Sequence, residues 1–172
     1  MKKALVIIDM QNDFVTGTLG NENCKAIVPN IVEKLKTARE NGEFILFTKD
    51  THDSSYLNSQ EGFNLPVEHC IIETQGWCII PELRPDNATI FMKNTFGSVQ
   101  LAQFCAQNGF NEIELVGVCT GICVISNAML LKAFCPETLI TVDAKCCACV
   151  TEESHKYALK AMKTCQINVI NE

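Results

Sequence analysis

Short, fully apolar segments alternate with segments of helical periodicity along the chain, and this alternation constrains the fold more than any other feature. Residues 4–8 are apolar at every position, as expected for a central parallel strand that is buried on both faces. Helical periodicity follows over residues 26–40, and Asn41-Gly42 marks its end. Further strands are predicted at 44–47, 88–92, 113–118, 138–142 and 167–170, with helices at 99–108, 123–134 and 151–163. The pattern predicts an α/β fold, a three-layer αβα domain in which helices cover both faces of a central, mostly parallel sheet.

Residues 50–86 break this alternation, since they are rich in Ser, Asn, Gly, Pro and His and lack helical periodicity. A long irregular segment in a compact domain is usually functional. In parallel α/β sheets, ligands bind outside the carboxyl ends of the strands. We therefore expect one edge of the sheet to collect the polar residues that follow the strands, namely Asp9, Asp50, His52, Lys93 and Cys123.

Cys123 lies where a predicted strand runs directly into a predicted helix. Thr120 is the predicted N-cap, which places Cys123 in the first helical turn, among backbone N–H groups that have no intrahelical partner. Such donors, together with the positive helix end, lower the pKa of a thiol and can hold a developing oxyanion. The alternative is a small buried hydrophobe, which is the more common role of a cysteine in a chain that has 11 of them.

Composition excludes several classes of protein. With a net charge of −6 and 14 scattered Lys and Arg residues, the chain is not expected to bind nucleic acid. We expect neither a signal peptide nor a membrane span, and a cytoplasmic location in which the thiols stay free. A structural zinc site on Cys146, Cys147 and Cys149 is an alternative, although no second Cys/His pair accompanies them. The length of 172 residues predicts a single domain over residues 1–172.

Three motifs carry a resemblance to a known family. They are Val6-Ile-Ile-Asp9-Met-Gln-Asn-Asp-Phe14, Lys93-Asn-Thr-Phe-Gly-Ser98 and Gly117-Val-Cys-Thr-Gly-Ile-Cys123-Val. In this order they resemble the isochorismatase-like cysteine hydrolases, a superfamily that includes nicotinamidases, isochorismatases, N-carbamoylsarcosine amidases and ureidoacrylate amidases. The resemblance covers essentially the whole chain.

The resemblance implies a catalytic triad of Asp9, Lys93 and Cys123. Asp9 would take the thiol proton and pass it to the leaving amine, while Lys93 balances the charge of both groups. The Cys123 thiolate would attack the amide carbonyl, and water would then hydrolyse the thioester. The resemblance also implies a cis peptide between Val118 and Cys119, and an oxyanion hole formed by the N–H groups of Cys119 and Cys123. Taken alone, Asp9 could be a turn carboxylate and Lys93 a solvated surface lysine.

Nicotinamidases that resemble this chain carry a divalent metal ion, and the carry-over places its ligands at Asp50, His52 and His69. Glu61 is a further candidate ligand, with Glu68 nearby in the sequence. One carboxylate and two imidazoles suit zinc, and also iron or manganese, and leave a position for a pyridine nitrogen. The alternative is an Asp-x-His pair in a loop that holds no metal. The third histidine, His155, is interpreted as a surface residue.

The expected substrate follows from the same resemblance. Phe14 and Leu65 are the candidate substrate-binding residues, with Leu65 where a tryptophan is usual and Gly121 where an acidic residue is frequent. Whether Trp77 substitutes for that tryptophan stays open at this point. We expect a homo-oligomeric amidohydrolase that converts a small-molecule amide, nicotinamide, to nicotinate and ammonia. The alternatives are another small amide, an isochorismate-type substrate, or a non-catalytic redox or metal-binding module.

Overall fold

The computed structural model describes residues 1–172, and six parallel strands form its centre. They are β1 (Lys3–Ile8), β2 (Phe44–Asp50), β3 (Thr89–Lys93), β4 (Glu112–Val118), β5 (Leu139–Ala148) and β6 (Asn168–Ile170). The strands pair in the order β3-β2-β1-β4-β5-β6, and every pair is parallel. The predicted α/β fold is therefore confirmed, with a sheet that is parallel throughout.

Seven helices connect or flank the strands. They are α1 (Asn12–Val15), α2 (Glu22–Ala26), α3 (Val28–Glu40), α4 (Gln60–Asn64), α5 (Val99–Asn108), α6 (Ile125–Phe134) and α7 (Glu152–Thr164). None of them combines the length and apolar character that crossing a bilayer would require.

The core consists of two clusters, one on each face of the sheet. Alternate residues of β1 enter different clusters: Val6 packs with α5, α6 and α7, whereas Ile7 packs with α2 and α3. Successive side chains of a strand point to opposite faces, so a strand that is buried on both sides must be apolar throughout. This explains the uninterrupted apolar run in β1 and establishes the three layers.

Several element boundaries differ from the sequence prediction; β2, for example, continues past residue 47 to Asp50. The helix predicted over 26–40 begins at Val28 as α3, with Pro29 in its first turn, where a missing N–H costs no hydrogen bond, and a separate short helix, α2, precedes it. The strand predicted over 138–142 continues to Ala148 despite the buried carboxylate of Asp143. Lys34 of α3 lies 2.6 Å from that carboxylate and compensates its charge.

The irregular segment after β2 lies across the carboxyl edge of the sheet. It contains only α4 and two short 3₁₀ turns, at Tyr56–Asn58 and Pro81–Leu83. Isolated bridges join Gln11 to Ile79 and His52 to Ile71, so the segment is attached to the chain just after β1 and β2. It therefore forms part of the wall around whatever binds at this edge.

The two adjacent cysteines of β5 pack in the hydrophobic core. Cys146 and Cys147 are each 3% exposed and belong to different core clusters, on opposite faces of the sheet. The group of side chains that could hold a metal ion includes no cysteine. Cys146, Cys147 and Cys149 therefore do not form the zinc site considered from the sequence.

Replacing Cys147 by serine should lower the free energy of unfolding by about 1–3 kcal/mol, because a more polar hydroxyl would enter an apolar cluster in which the Leu115 carbonyl oxygen lies 4.0 Å from the present sulfur. The exposed Cys165 provides the matched control, since Cys165→Ser makes the same chemical change in contact with solvent. Urea unfolding followed by circular dichroism would measure both variants. Equal midpoints for Cys147→Ser and Cys165→Ser would contradict a packing role for Cys147.

Candidate active site

The carboxyl ends of four neighbouring strands converge on one buried site. Asp9 directly follows β1, while Asp50 and Lys93 are the last residues of β2 and β3 and lie opposite each other in the register. Cys123 follows β4, on the other side of β1. All four residues are buried, and Asp9 has no exposed surface. The edge predicted from the sequence therefore brings an acid, a base and a thiol together.

Lys93 is the centre of this arrangement. Its Nζ lies 2.6 Å from Asp9 Oδ2, 3.2 Å from Asp50 Oδ1 and 3.7 Å from Cys123 Sγ. The Thr48 hydroxyl donates a hydrogen bond of 2.6 Å to Asp9 Oδ1, which fixes the other side of the carboxylate. Asp9 Oδ2 forms the ion pair with Lys93, so both oxygens of this buried carboxylate have a partner. Lys93 is thus a buried, paired cation and not a solvated surface lysine.

The backbone of Asp9 adopts an uncommon conformation. Its φ of 48° lies in the left-handed region, which Asp tolerates better than most non-glycine residues but still at a cost of about 1–3 kcal/mol. The Asp9 N–H donates to the Thr48 hydroxyl oxygen at 3.2 Å, so Thr48 bonds to both the backbone and the side chain. This conformation and its support by Thr48 indicate a placed functional carboxylate, not a simple turn residue.

The pKa values of the three groups reflect burial and mutual charge. Burial raises the pKa of Asp9 even though the Lys93 ammonium opposes the shift. Burial and the Asp9 charge raise the pKa of Cys123, against the lowering effect of Lys93. Burial would lower the pKa of Lys93, but the charges of Asp9, Cys123 and Asp50 outweigh it and raise that pKa. The resting thiol is therefore protonated, and the lowered pKa expected from its helical position is wrong.

Cys123 is carried by a single π-helical turn, Thr120–Val124, that leads into α6. Cys119 precedes this turn, and the peptide bond between Val118 and Cys119 is cis, at the position that the resemblance implies. The Cys119 carbonyl accepts hydrogen bonds from the N–H groups of Ile122 and Val124. The turn therefore closes on Cys119, and Cys119 and Cys123 face the same pocket.

Thr120 does not cap the helix, contrary to the sequence prediction. Cys119 occupies the N-cap position without a side-chain hydrogen bond, and the Thr120 hydroxyl instead lies 2.8 Å from His155 Nδ1. His155 is half-buried and is therefore not a simple surface residue. This contact joins the turn that carries Cys123 to α7. Local capping patterns in the sequence cannot predict such a contact.

Asn127 is a site residue that the sequence analysis missed. Its side-chain amide donates to the Cys123 carbonyl at 2.8 Å and to the Phe96 carbonyl at 3.1 Å, while its Oδ1 accepts from the Ser98 N–H at 2.9 Å. Asn127 therefore joins the turn that carries Cys123 to the loop that follows β3. A single Asn in a helix that is mostly apolar is the one sequence signal that could have identified it, and the structure shows that this amide is fully buried.

Gln11 has a corresponding role beside Asp50. Its amide donates to the carbonyl oxygens of Asp50 and Trp77 at 2.8 and 2.9 Å, and its Oε1 accepts from the Asp50 N–H at 2.7 Å. The chain after β1 is therefore tied to the end of β2 through both backbone groups of Asp50. Gln11 therefore fixes the position of Asp50, which contacts both Lys93 and the histidine cluster.

A second group of side chains lies next to Asp50. One oxygen or nitrogen atom from each of Asp50, His52, Glu61 and His69 falls within 4.8 Å of all the others. His52 Nε2 and His69 Nε2 lie 3.2 and 3.6 Å from Asp50 Oδ2, and 4.0 and 3.7 Å from Glu61 Oε1. Of the two glutamates considered from the sequence, Glu61 belongs to this cluster.

The donor set of this cluster fits a divalent metal ion. Ligands about 2.0–2.2 Å from a tetrahedral ion lie roughly 3.4 Å from one another, close to most of these spacings. His69 Nδ1 lies 2.8 Å from the Val67 carbonyl, which turns Nε2 toward the other ligands. Hydrogen bonds from His52 and His69 and the Lys93 charge lower the pKa of Asp50, although burial alone would raise it. The carboxylate is thus ionised, as a metal ligand must be.

Cys123 and the histidine cluster line one cavity of about 1100 Å³. Its wall includes Cys123 and Cys119, the four cluster residues, and the apolar side chains of Phe14, Tyr56, Leu65, Phe96 and Ile122. The Phe14 ring lies 5.5 Å from that of His69. Trp77 is not part of this wall, because its indole N–H donates to Thr51 and its ring packs under the Lys49 ammonium. Trp77 therefore does not replace the tryptophan whose position Leu65 occupies.

Comparisons with known proteins agree with this arrangement. A sequence model described as the Isochorismatase domain matches residues 3–172. The chain is 30% identical to the "uncharacterized isochorismatase family protein PncA" of Bacillus subtilis, over 92% of this chain and 93% of that protein.

Two solved structures show the same fold over nearly the full length of each chain. The nicotinamidase/pyrazinamidase PncA of Bacillus subtilis superposes with a TM-score of 0.87 at 27% identity, over 99% of this chain and 100% of that one. The pyrazinamidase of Pyrococcus horikoshii, solved in complex with zinc, gives a TM-score of 0.88 at 24% identity and full coverage of both chains (100% each). The chain therefore belongs to the isochorismatase family, and within it resembles the nicotinamidase/pyrazinamidase-type hydrolases.

Proposed function

We propose that this protein is a cysteine amidohydrolase that converts nicotinamide to nicotinate and ammonia. The observation that carries the proposal is one cavity lined by Cys123 and by the Asp50–His52–Glu61–His69 cluster, with the Asp9–Lys93 pair buried beside the Cys123 sulfur. A thiol next to a buried carboxylate suits cleavage of a carbonyl compound, and a neighbouring cluster of metal-type ligands suits a ring with a basic nitrogen. The similarity to the nicotinamidase/pyrazinamidase PncA of Bacillus subtilis supports the same reaction class.

The first half of the reaction requires a proton acceptor beside the thiol. Asp9 takes the proton of Cys123, and the Sγ forms a bond to the amide carbon. The N–H groups of Cys119 and Cys123 donate to the carbonyl oxygen as it becomes negatively charged. Asp9 then returns the proton to the amide nitrogen, the C–N bond breaks, and ammonia leaves a thioester on Cys123.

The second half repeats this chemistry with water. Asp9 accepts a proton from a water molecule that attacks the thioester carbon, and the C–S bond breaks to release the carboxylic acid and restore the thiol. The raised pKa of Asp9 makes it a stronger base than an ordinary carboxylate. Lys93 stays charged throughout and stabilises whichever of its two partners carries the negative charge.

The metal would be held by Asp50, His52 and His69, with Glu61 as a fourth side chain, and we propose zinc for this donor set. A bound divalent ion supplies a Lewis acid that can coordinate a pyridine nitrogen. Phe14 and Tyr56 provide apolar faces for the ring, and Leu65 closes the outer wall. These residues orient the amide toward Cys123, whereas the nucleophile itself comes from the triad.

Chelation should reduce kcat/KM for nicotinamide by about tenfold or more, because the ring nitrogen would lose its partner. Benzamide has the same shape without that nitrogen, so its kcat/KM should change far less. Ammonia release from both amides, before and after chelation and after zinc is restored, would measure this. An equal loss for both substrates would contradict ring recognition by the cluster, and no release from either would contradict the proposed reaction.

Metal content tests the ligand assignment without reference to activity. Elemental analysis of protein purified without chelator should give about one equivalent in the unmodified chain and much less in His52→Ala. His155→Ala is the matched control, since it removes an imidazole that lies outside the cluster. Negligible metal in both the unmodified chain and His52→Ala would instead favour a metal-free amidase or an isochorismatase-like hydrolase.

A different small amide is the second candidate substrate, and the outer wall of the pocket favours it. Leu65 lies where the resemblance places a tryptophan, and it leaves that wall with a smaller, partly exposed side chain. The ammonia assay should therefore include an aliphatic amide beside the two aromatic ones. Faster release from the aliphatic amide would favour this candidate over nicotinamide.

A further inference from the structure

Three cysteines outside the triad meet behind the pocket wall. Cys24 belongs to α2, Cys119 follows β4 and Cys149 follows β5, and the thiol of Cys119 interacts with those of both others. Cys24 and Cys149 are buried, whereas Cys119 is half-buried and faces the pocket. The proposed reaction makes no use of these thiols, although the backbone of Cys119 has a role in it.

The strand register places Cys119 and Cys149 side by side. Val118 of β4 pairs with Ala148 of β5 as the last pair of that ladder, and Cys119 and Cys149 are the residues that directly follow the two strand ends. Adjacent strands lie about 4.8 Å apart, which is within the range of about 4.4–6.8 Å between the Cα atoms of a disulfide. A bond between these two sulfur atoms therefore needs little movement of the backbone.

The surroundings of Cys149 favour a thiolate. Its sulfur accepts a hydrogen bond from the Cys119 thiol and from the backbone N–H groups of Gly121, Val150 and Thr151. Gly121 approaches closely, since a methyl group in place of its hydrogen would lie 3.6 Å from Cys149 Sγ. Several backbone N–H groups around one atom form an anion-binding nest, and here they surround sulfur.

This environment separates Cys149 from most other buried cysteines, although the Cys119 thiol also lowers the pKa of the buried Cys24. The Cys119 thiol and the three N–H groups lower the pKa of Cys149 to about 6, against the effect of burial. Burial raises the pKa of Cys105 and of Cys146 to about 12, and it also raises that of Cys123. Cys149 is 3% exposed and lies directly behind the pocket wall, which includes its neighbours Cys119 and Val150.

We propose that Cys149 is a peroxide-reactive cysteine that forms a reversible disulfide with Cys119. In the first step the Cys149 sulfur attacks a hydroperoxide: an S–O bond forms, the O–O bond breaks, and the departing oxygen takes up a proton as water or an alcohol. The sulfur is oxidised to a sulfenic acid and the peroxide is reduced. In the second step the Cys119 sulfur attacks Cys149: the S–S bond forms, the S–O bond breaks, and hydroxide leaves with the Cys119 proton as water.

Cys119 is the partner rather than Cys24, because of the register and the direct thiol contact. Cys24 lies on a different element, has no exposed surface, and is joined to the group only through Cys119. The catalytic thiol of Cys123 remains protonated in the resting protein and is a weaker nucleophile toward peroxide. Oxidation should therefore begin at Cys149 and not at the triad.

The full-length, reduced protein treated with one equivalent of hydrogen peroxide tests this proposal. After the remaining thiols are blocked, the intact mass should show one disulfide, and fragment spectra should link Cys119 to Cys149 and exclude Cys146 and Cys147. Dithiothreitol should restore the reduced mass. Because these readouts are masses of the unmodified chain, they do not depend on the proposed amidase activity or on the folding of a variant.

Two variants sharpen the outcome. Cys149→Ser should abolish the disulfide, whereas Cys165→Ser, which alters the exposed cysteine, should leave it unchanged. The proposal would be overturned by a Cys24–Cys119 linkage, by oxidation of Cys123 or Cys165 ahead of Cys149, or by a chain that remains fully reduced.

Discussion

Replacing Cys123 by alanine should lower the rate of amide hydrolysis by about four orders of magnitude or more, while the fold and Tm remain nearly unchanged. The Sγ is the only atom in the triad that can form the bond to the substrate carbon. The side chain is small, and alanine fills most of its place in the core cluster. Ammonia release and thermal unfolding of the purified variant would measure the two effects.

Cys105→Ala is the matched control for this change. Cys105 is buried in the same core cluster, 1% exposed, and does not line the pocket. It should therefore show a comparable small change in Tm without loss of turnover. Near-normal hydrolysis by Cys123→Ala, with any substrate the unmodified protein accepts, would remove Cys123 as the nucleophile.

Asp9→Asn and Lys93→Ala should each reduce turnover by about three to four orders of magnitude, since the three groups act as a unit. An amide at position 9 cannot accept the thiol proton. Without Lys93, the two carboxylates within 3.2 Å of its ammonium would lack their shared cation, and the thiolate would lose its stabilising charge. Initial rates of ammonia release at saturating substrate would measure both losses.

The double variant provides the decisive comparison. For residues of one unit, Asp9→Asn with Lys93→Ala should be little worse than either single variant, whereas losses that multiply would indicate independent roles. Lys93→Ala alone leaves buried charge unpaired and should destabilise the protein by about 3–5 kcal/mol. Rates should therefore be compared at a temperature at which circular dichroism shows each variant to be folded.

Much of the fold could be predicted because it follows from local patterns. A strand such as β1, buried on both faces, must be apolar throughout, and the carboxyl ends of parallel strands always meet at one edge. These two rules are enough to bring Asp9, Asp50, Lys93 and Cys123 to one edge of the sheet. The continuation of β5 past Asp143 could not be predicted, because it depends on an ion pair with Lys34 of a distant helix.

The missed features of the site depend on contacts between segments far apart in the sequence. Thr120 has the side chain of an N-cap, but His155 lies within hydrogen-bonding distance of its hydroxyl. The Cys123 pKa was expected to be low from its helical position, and the burial of the site reverses the direction. Asn127 acts through backbone carbonyl and N–H groups, whose positions no sequence motif specifies.

Because β1 lies between β2 and β4 in the sheet, the site has two parts that come from different stretches of the chain. One stretch that begins at the end of β2 supplies Asp50, His52, Glu61 and His69. The turn that carries Cys123 lies on the opposite side of β1 and comes more than fifty residues later in the chain. Only Lys93 contacts both parts. Under the proposed function, substitutions in this segment beyond Asp50 would reshape much of the surface that selects the substrate while Asp9, Lys93 and Cys123 stay fixed. A change of specificity would then need few changes outside one contiguous segment, and the bond-breaking residues would be retained throughout.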